Sequence, residues 1–117
     1  MKKLWIFAVL TALTTAAFGG NETVVFANLK TARTLAGIVF DPSGAAIPCV
    51  LVSELDLDGT TILRSTITDE QGGWMLEPAS RKIYTLLFFS NGFNDVQIRV
   101  KLSEKGKELT VSLPVAT

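Results

Sequence analysis

From Arg33 onward, apolar and polar side chains alternate with a period of two, and turn residues interrupt the alternation at short intervals. The pattern predicts seven strands, at residues 34–40, 49–55, 60–68, 74–77, 82–90, 95–102 and 108–113. Asp41-Pro42-Ser43-Gly44 closes the first run, because proline fixes φ and glycine tolerates φ > 0. Pro48 leads into the second, and Asp58-Gly59 ends it. The third run is rich in β-branched residues and stops at Asp69-Glu70-Gln71-Gly72. Asn91-Gly92 is a tight-hairpin dipeptide, and residues 103–107 link the last two runs.

The last two strands alternate most cleanly. Val96, Ile98, Val100 and Leu102 share one face, with Gln97, Arg99 and Lys101 on the other; Leu109, Val111 and Leu113 stand against Thr110 and Ser112. Such strands bury one face and wet the other. No amphipathic helical period separates the runs, so the expected class is all-β, an antiparallel sandwich or barrel. Three strands carry apolar residues on both faces. The first sets Leu35, Gly37 and Val39 against Ala36, Ile38 and Phe40. The second sets Val50 and Val52 against Cys49 and Leu51, and the fifth sets Tyr84, Leu86 and Phe88 against Leu87 and Phe89.

The start of the chain follows a different rule. Lys2 and Lys3 precede residues 4–18, of which 12 of 15 are apolar and none is charged, and small residues follow. This is the three-part pattern of a secretory signal peptide, with cleavage after Gly19 or Ala17. A spanning helix needs about 20 apolar residues, so the expected product is exported, periplasmic or extracellular, without stable membrane insertion. The expected division is a signal at 1–19, an extension or extra strand at 20–32, and one domain at 33–117.

Composition removes several functions. The whole chain of 117 residues balances 11 Lys+Arg against 11 Asp+Glu, and loss of Lys2 and Lys3 leaves the mature form slightly acidic. That charge offers no electrostatic case for nucleic acid. The chain has no histidine, the commonest general base and metal ligand. It has one cysteine, which cannot form an internal disulfide. Cys49 as a nucleophile lacks a base to activate it, and reads instead as a small, buried or half-buried strand residue. Glu54, Asp56 and Asp58 read as solubilising carboxylates flanking a turn. Asp56-Leu57-Asp58-Gly59 and Asp69-Glu70 look like openings of calcium loops, but no Glu follows in register, so they read as hairpin turns. No catalytic residue, metal or cofactor is therefore expected.

From Leu35 to Leu113 the chain resembles the carboxypeptidase regulatory-like domains, prealbumin-like sandwiches of secreted bacterial proteins. The matching pieces are Gly37-Ile38-Val39-Phe40-Asp41-Pro42-Ser43-Gly44-Ala45, Ile47-Pro48-Cys49-Val50-Leu51-Val52, Thr68-Asp69-Glu70-Gln71-Gly72-Gly73-Trp74-Met75-Leu76, Tyr84-Thr85-Leu86 and Asn91-Gly92-Phe93. In two places the chain departs from the pattern: Cys49 stands where a glycine usually follows the proline, and Arg81-Lys82-Ile83 replace the usual Pro-Gly step before the tyrosine. The resemblance implies a seven-stranded antiparallel Greek-key β-sandwich. It also implies that the first, second and fifth strands share a sheet with the Trp74 strand. Ile38, Phe40, Leu51, Met75, Leu87 and Phe89 would then line its outer face, more apolar area than a monomer usually exposes. Residues 23–29 offer a cover for that face or an added strand.

The expected function is therefore non-enzymatic: an exported module acting by surface contact, with another envelope protein or a second copy, or a structural appendage. A second reading is glycan binding, which stacks sugar rings on exposed aromatics. Trp74 and Tyr84 are its candidate platforms, and both fall where a core is expected.

Overall fold

The computed structural model describes residues 23–116, and the predicted signal lies outside them. The described residues form seven strands: β1 (Thr23–Phe40), β2 (Leu51–Leu55), β3 (Ile62–Ile67), β4 (Gly73–Met75), β5 (Ile83–Phe89), β6 (Asp95–Leu102) and β7 (Lys107–Ser112). The fold of the described residues is all-β. Its strands hydrogen-bond in the order β3-β2-β5-β6-β1-β4, with β7 also on β1, as one nearly closed sheet.

The long first strand organises this arrangement. Its N-terminal half runs beside β6, with Val24 opposite Val96 and Ala32 opposite Leu102. Its C-terminal half runs beside β7, with Gly37 opposite Leu109 and Phe40 opposite Ser112. On the other edge of that half, β4 pairs with Trp74 opposite Gly37. Residues 23–32 are thus no separate strand; from Thr23 the chain is continuous with the predicted first one.

Strand direction needs a correction. β1 is parallel to both β6 and β7, so the sheet is mixed, not wholly antiparallel. The reason is that the 103–106 link does not reverse the chain. The Ser103 amide donates to the Ala32 carbonyl at 2.8 Å, and the Gly106 amide donates to the Ser103 carbonyl at 2.9 Å. β7 therefore continues in the direction of β6 along the same neighbour. Register shifts in β1 between Val25 and Leu29, and between Ala32 and Gly37, accommodate the crossing.

Alternation sends Leu35, Val39, Val52, Tyr84, Leu86, Phe88, Val96, Ile98, Val100, Leu109 and Val111 into a single core. Each fully buried side chain of this size contributes about 1.5–3 kcal/mol. Trp74 joins them, 5% exposed, edge-on to Phe88 with ring centroids 5.5 Å apart. The turn before β4 holds Trp74 in place. Asp69 Oδ1 accepts the amides of Gln71 and Gly73, both at 2.9 Å, and Gly72 takes φ 75°. The Gly72 carbonyl then accepts the Val39 amide at 2.9 Å, tying the turn to β1.

Candidate functional site

The six expected face residues separate into two groups. Leu51 lies opposite Phe89 across β2 and β5, and Leu87 lies two pairs along, opposite Ser53. β3 extends the row, because Ile67 pairs with Leu51 on the other side. Ile67, Leu51 and Phe89 thus form an apolar line on the outer face, with Ile67 60% exposed and the other two half-buried. Ile38, Phe40 and Met75 belong elsewhere. They sit on the C-terminal half of β1 and on β4, where Met75 pairs with Ala36 and is 67% exposed. The first strand and the Trp74 strand are paired with each other but not with β2 or β5, so the six residues do not make one face. The segment offered as a cover adds to the β6 edge instead, and Leu51, Leu87 and Phe89 stay half-buried.

Beside this row, β2 and β3 carry a polar feature on the opposite face. Glu54 shares the inward face of Val52, and its side chain is only 2% exposed. Arg64, directly opposite on β3, places Nε 2.6 Å from Glu54 Oε1. Arg81, in the loop before β5, places Nε 3.0 Å from Oε2. The same loop is pinned by Tyr84, whose hydroxyl accepts the Ala79 amide at 3.0 Å and donates to the Ala79 carbonyl. Glu54 is therefore a buried, doubly paired carboxylate and not a solubilising one. The signal was in the pattern: Val50, Val52 and Glu54 have the same parity.

The other candidates resolve into local structure. Asp58 accepts the amides of Thr60 at 2.8 Å and Thr61 at 3.0 Å through Oδ1, and the Thr61 hydroxyl at 2.7 Å through Oδ2. These bonds, the Thr60 amide foremost, hold its carboxyl down at about 2. Asp56 accepts the Leu57 amide at 2.7 Å. Both carboxylates thus satisfy their own turn.

Cys49 needs a correction. It is exposed, it precedes β2 rather than lying in it, and it takes φ 61°, the left-handed region that favours glycine. The cause is the tight step from Pro48 into the strand, where the Cys49 amide donates to the Thr68 carbonyl at 3.1 Å.

Trp74 and Tyr84 are both buried, at 5% and 1% exposure. One charged group escapes sequence reasoning altogether. Asp95 begins β6 with the parity of the wetted residues Gln97 and Arg99, yet it is 2% exposed. Among the described residues its Oδ1 has no hydrogen-bond partner, and burial pushes its carboxyl up to about 6. Compared with known proteins, the chain matches no protein-family model and no curated protein.

Proposed function

We propose that this chain is a non-enzymatic, exported β-module that works through protein surface contact in the cell envelope. We also propose that its strands form the seven-stranded Greek-key sandwich of the carboxypeptidase regulatory-like kind. The observation that carries the functional reading is the apolar line Ile67–Leu51–Phe89 with Leu87 beside it, on the outer face of β3, β2 and β5, while the N-terminal part of β1 pairs alongside β6. Contiguous apolar patches of more than a few hundred Å² on a protein surface mark contact sites, and this strip is the candidate for one. Absence of histidine from the whole sequence supports the non-enzymatic part, since exposed Cys49 has no imidazole to activate it. The leader-like residues 1–19 support export. The glycan alternative gains no comparable support, because its two candidate platforms lie in the core.

The test is the light-scattering mass of the exported protein, wild type against Phe89→Asp, together with crosslinking in intact cells. Loss of a complex in a variant that keeps its far-UV spectrum supports contact through this face. An identical mass and crosslinking pattern for the two proteins overturns it.

A further inference from the structure

We propose that the bend shared by β1, β6 and β7 docks this protein peripherally on an anionic phospholipid surface, through exposed cationic side chains interleaved with apolar ones. The inference goes beyond the protein-contact reading and concerns the other end of the strands.

Charge is segregated along the fold. Lys2 and Lys3 belong to the leader, and Arg64 and Arg81 are committed to Glu54. Every other lysine and arginine falls in one of three segments, residues 30–33, residue 82 and residues 99–107. Strand register brings the three to one end. Lys101 lies between Ile83 of β5 and Thr31 of β1, and Ala32 pairs with both Leu102 and Lys107. The opposite end carries Asp41, Asp69, Glu70 and Asp95 and no lysine or arginine. Asp95 starts β6 there beside Thr23, and the Gly72 carbonyl ties the Asp69 turn to Val39, next to the Asp41 turn.

The close backbone contact at Gly106 concentrates the cations. A Cβ on Gly106 would overlap the main chain of Ala32, so Lys105 and Lys107, on either side of the glycine, crowd Arg33, which follows the alanine. All three are exposed, as are Lys82, Arg99 and Lys101. Among the described residues none of the six forms an ion pair; both ion pairs belong to Glu54. Three carboxylates share the bend: Glu104 and Glu108 within it, and Glu77 beside it, where the Leu76 amide donates to the Leu35 carbonyl at 2.8 Å. Asp56 and Asp58 lie at this end too, across β5 and bonded to their own turn. The excess of cations repels itself, and a negatively charged surface relieves that repulsion. The carboxylates at the far end are repelled by the same surface, which gives the molecule one preferred orientation on it.

The side chains between the cations select a bilayer. Ile83, Lys101 and Thr31 form one row across the strands, and Thr85, Arg99 and Leu29 form the next. Buried Val100 lies between the rows, so both are on the outer face. Ile83 and Leu29 are 37% and 39% exposed. Phe26 is 44% exposed, with Lys30 Nζ 5.9 Å from its ring centre. In a headgroup layer, phosphates meet the cations while aliphatic and aromatic groups reach toward the acyl chains. A soluble polyanion would use the cations and leave Phe26, Leu29 and Ile83 in water.

The test is cosedimentation of the exported protein with vesicles of phosphatidylcholine, alone or with about 30% phosphatidylglycerol, at low ionic strength. Binding to the anionic vesicles is expected to be about tenfold stronger or more, and to vanish in roughly 0.5 M salt. Each cation removed is expected to weaken it about fivefold, so Arg99→Ser with Lys101→Ser loses about thirtyfold. Gln71→Glu with Asn91→Asp changes net charge equally at the acidic end and is expected to change binding less than about twofold. Both pairs alter exposed side chains, and thermal unfolding verifies that each variant is folded. Phe26→Ser is expected to weaken vesicle binding about fivefold. Equal binding to neutral and anionic vesicles, as a retained leader would give, overturns the proposal. So does an equal loss in the two double variants, which would assign the effect to net charge. Vesicle binding that Phe26→Ser leaves intact and that a soluble anionic polysaccharide abolishes would make the partner a polyanion and exclude the bilayer.

Discussion

Gly106 presses its α-carbon against the backbone of Ala32, where a side chain on the glycine would overlap the main chain of β1. Gly37 stands in the same relation to Leu109, five residues further along β1. These two contacts bracket the place where the β6–β7 track follows β1 from one part of the sheet to the other. Neither glycine is needed for a positive φ, so the demand is for space alone. Gly106→Ala or Gly37→Ala is expected to force the strands apart and to cost about 3 kcal/mol or more. Urea unfolding checks this, and Gly44→Ser is the comparison: no atom stands near its side-chain position, so only its backbone conformation, φ 92°, opposes a side chain.

The Glu54 cluster predicts an asymmetry. Glu54 is buried, whereas Arg64 and Arg81 keep about a third of their side chains in water, at 31% and 38% exposure. Removing the acid frees two cations that can turn to solvent. Removing both cations strands a carboxylate beside Leu86, its neighbour across β5. Glu54→Leu is therefore expected to cost about 1 kcal/mol, and the Arg64→Ala, Arg81→Ala double variant about 3–5 kcal/mol. Equal losses in thermal unfolding would contradict this ordering.

Inward positions were legible wherever a strand kept one phase. Val96, Ile98 and Val100 follow the alternation, and so do Leu86 and Phe88. The Asp69 turn was legible because its chemistry is local: a carboxylate bonds amides within four residues. The length and direction of β1 were not. Its register shifts break the period between Val25 and Leu29, and parallel pairing leaves no mark on a single strand. That gap explains why the expected face divided. Ile38 and Leu87 have similar sequence surroundings, and only the pairing of β1 with β4 and β7 separates them. Glu54 was legible by parity but hidden by its charge, and the burial of Asp95 follows from no local rule.

Cys49 holds a backbone conformation that costs an ordinary L-residue about 1–2 kcal/mol. Glycine relieves that strain but makes the unfolded chain more flexible. Cys49→Gly is expected to raise stability by a net ~0.5–1 kcal/mol. Cys49→Val, β-branched in the same conformation, is expected to lower it. Because the thiol is exposed, a thiol reagent is expected to titrate it fully in the folded protein. Denaturant midpoints of the two variants bracketing the wild type would meet the expectation; a loss of stability in Cys49→Gly would not.

Asp95 gives the fold a pH dependence of definite sign. Its carboxyl sits at about 6 in the folded chain against 3.8 for the ordinary side chain, so the folded state holds a proton that the unfolded state releases first. Below the unfolded value both states are protonated and the ionisation of Asp95 costs nothing. As pH rises from there to about 6, stability falls, and above that the loss is constant at about 3 kcal/mol, an upper bound. Asp95→Asn keeps the shape without the charge. It is expected to be more stable than wild type at pH 8 and to lose that advantage near pH 4. Two urea titrations of each protein decide the matter. A gain of equal size at both pH values would assign the effect to packing or to the added amide donor, and would remove ionisation of Asp95 as its cause.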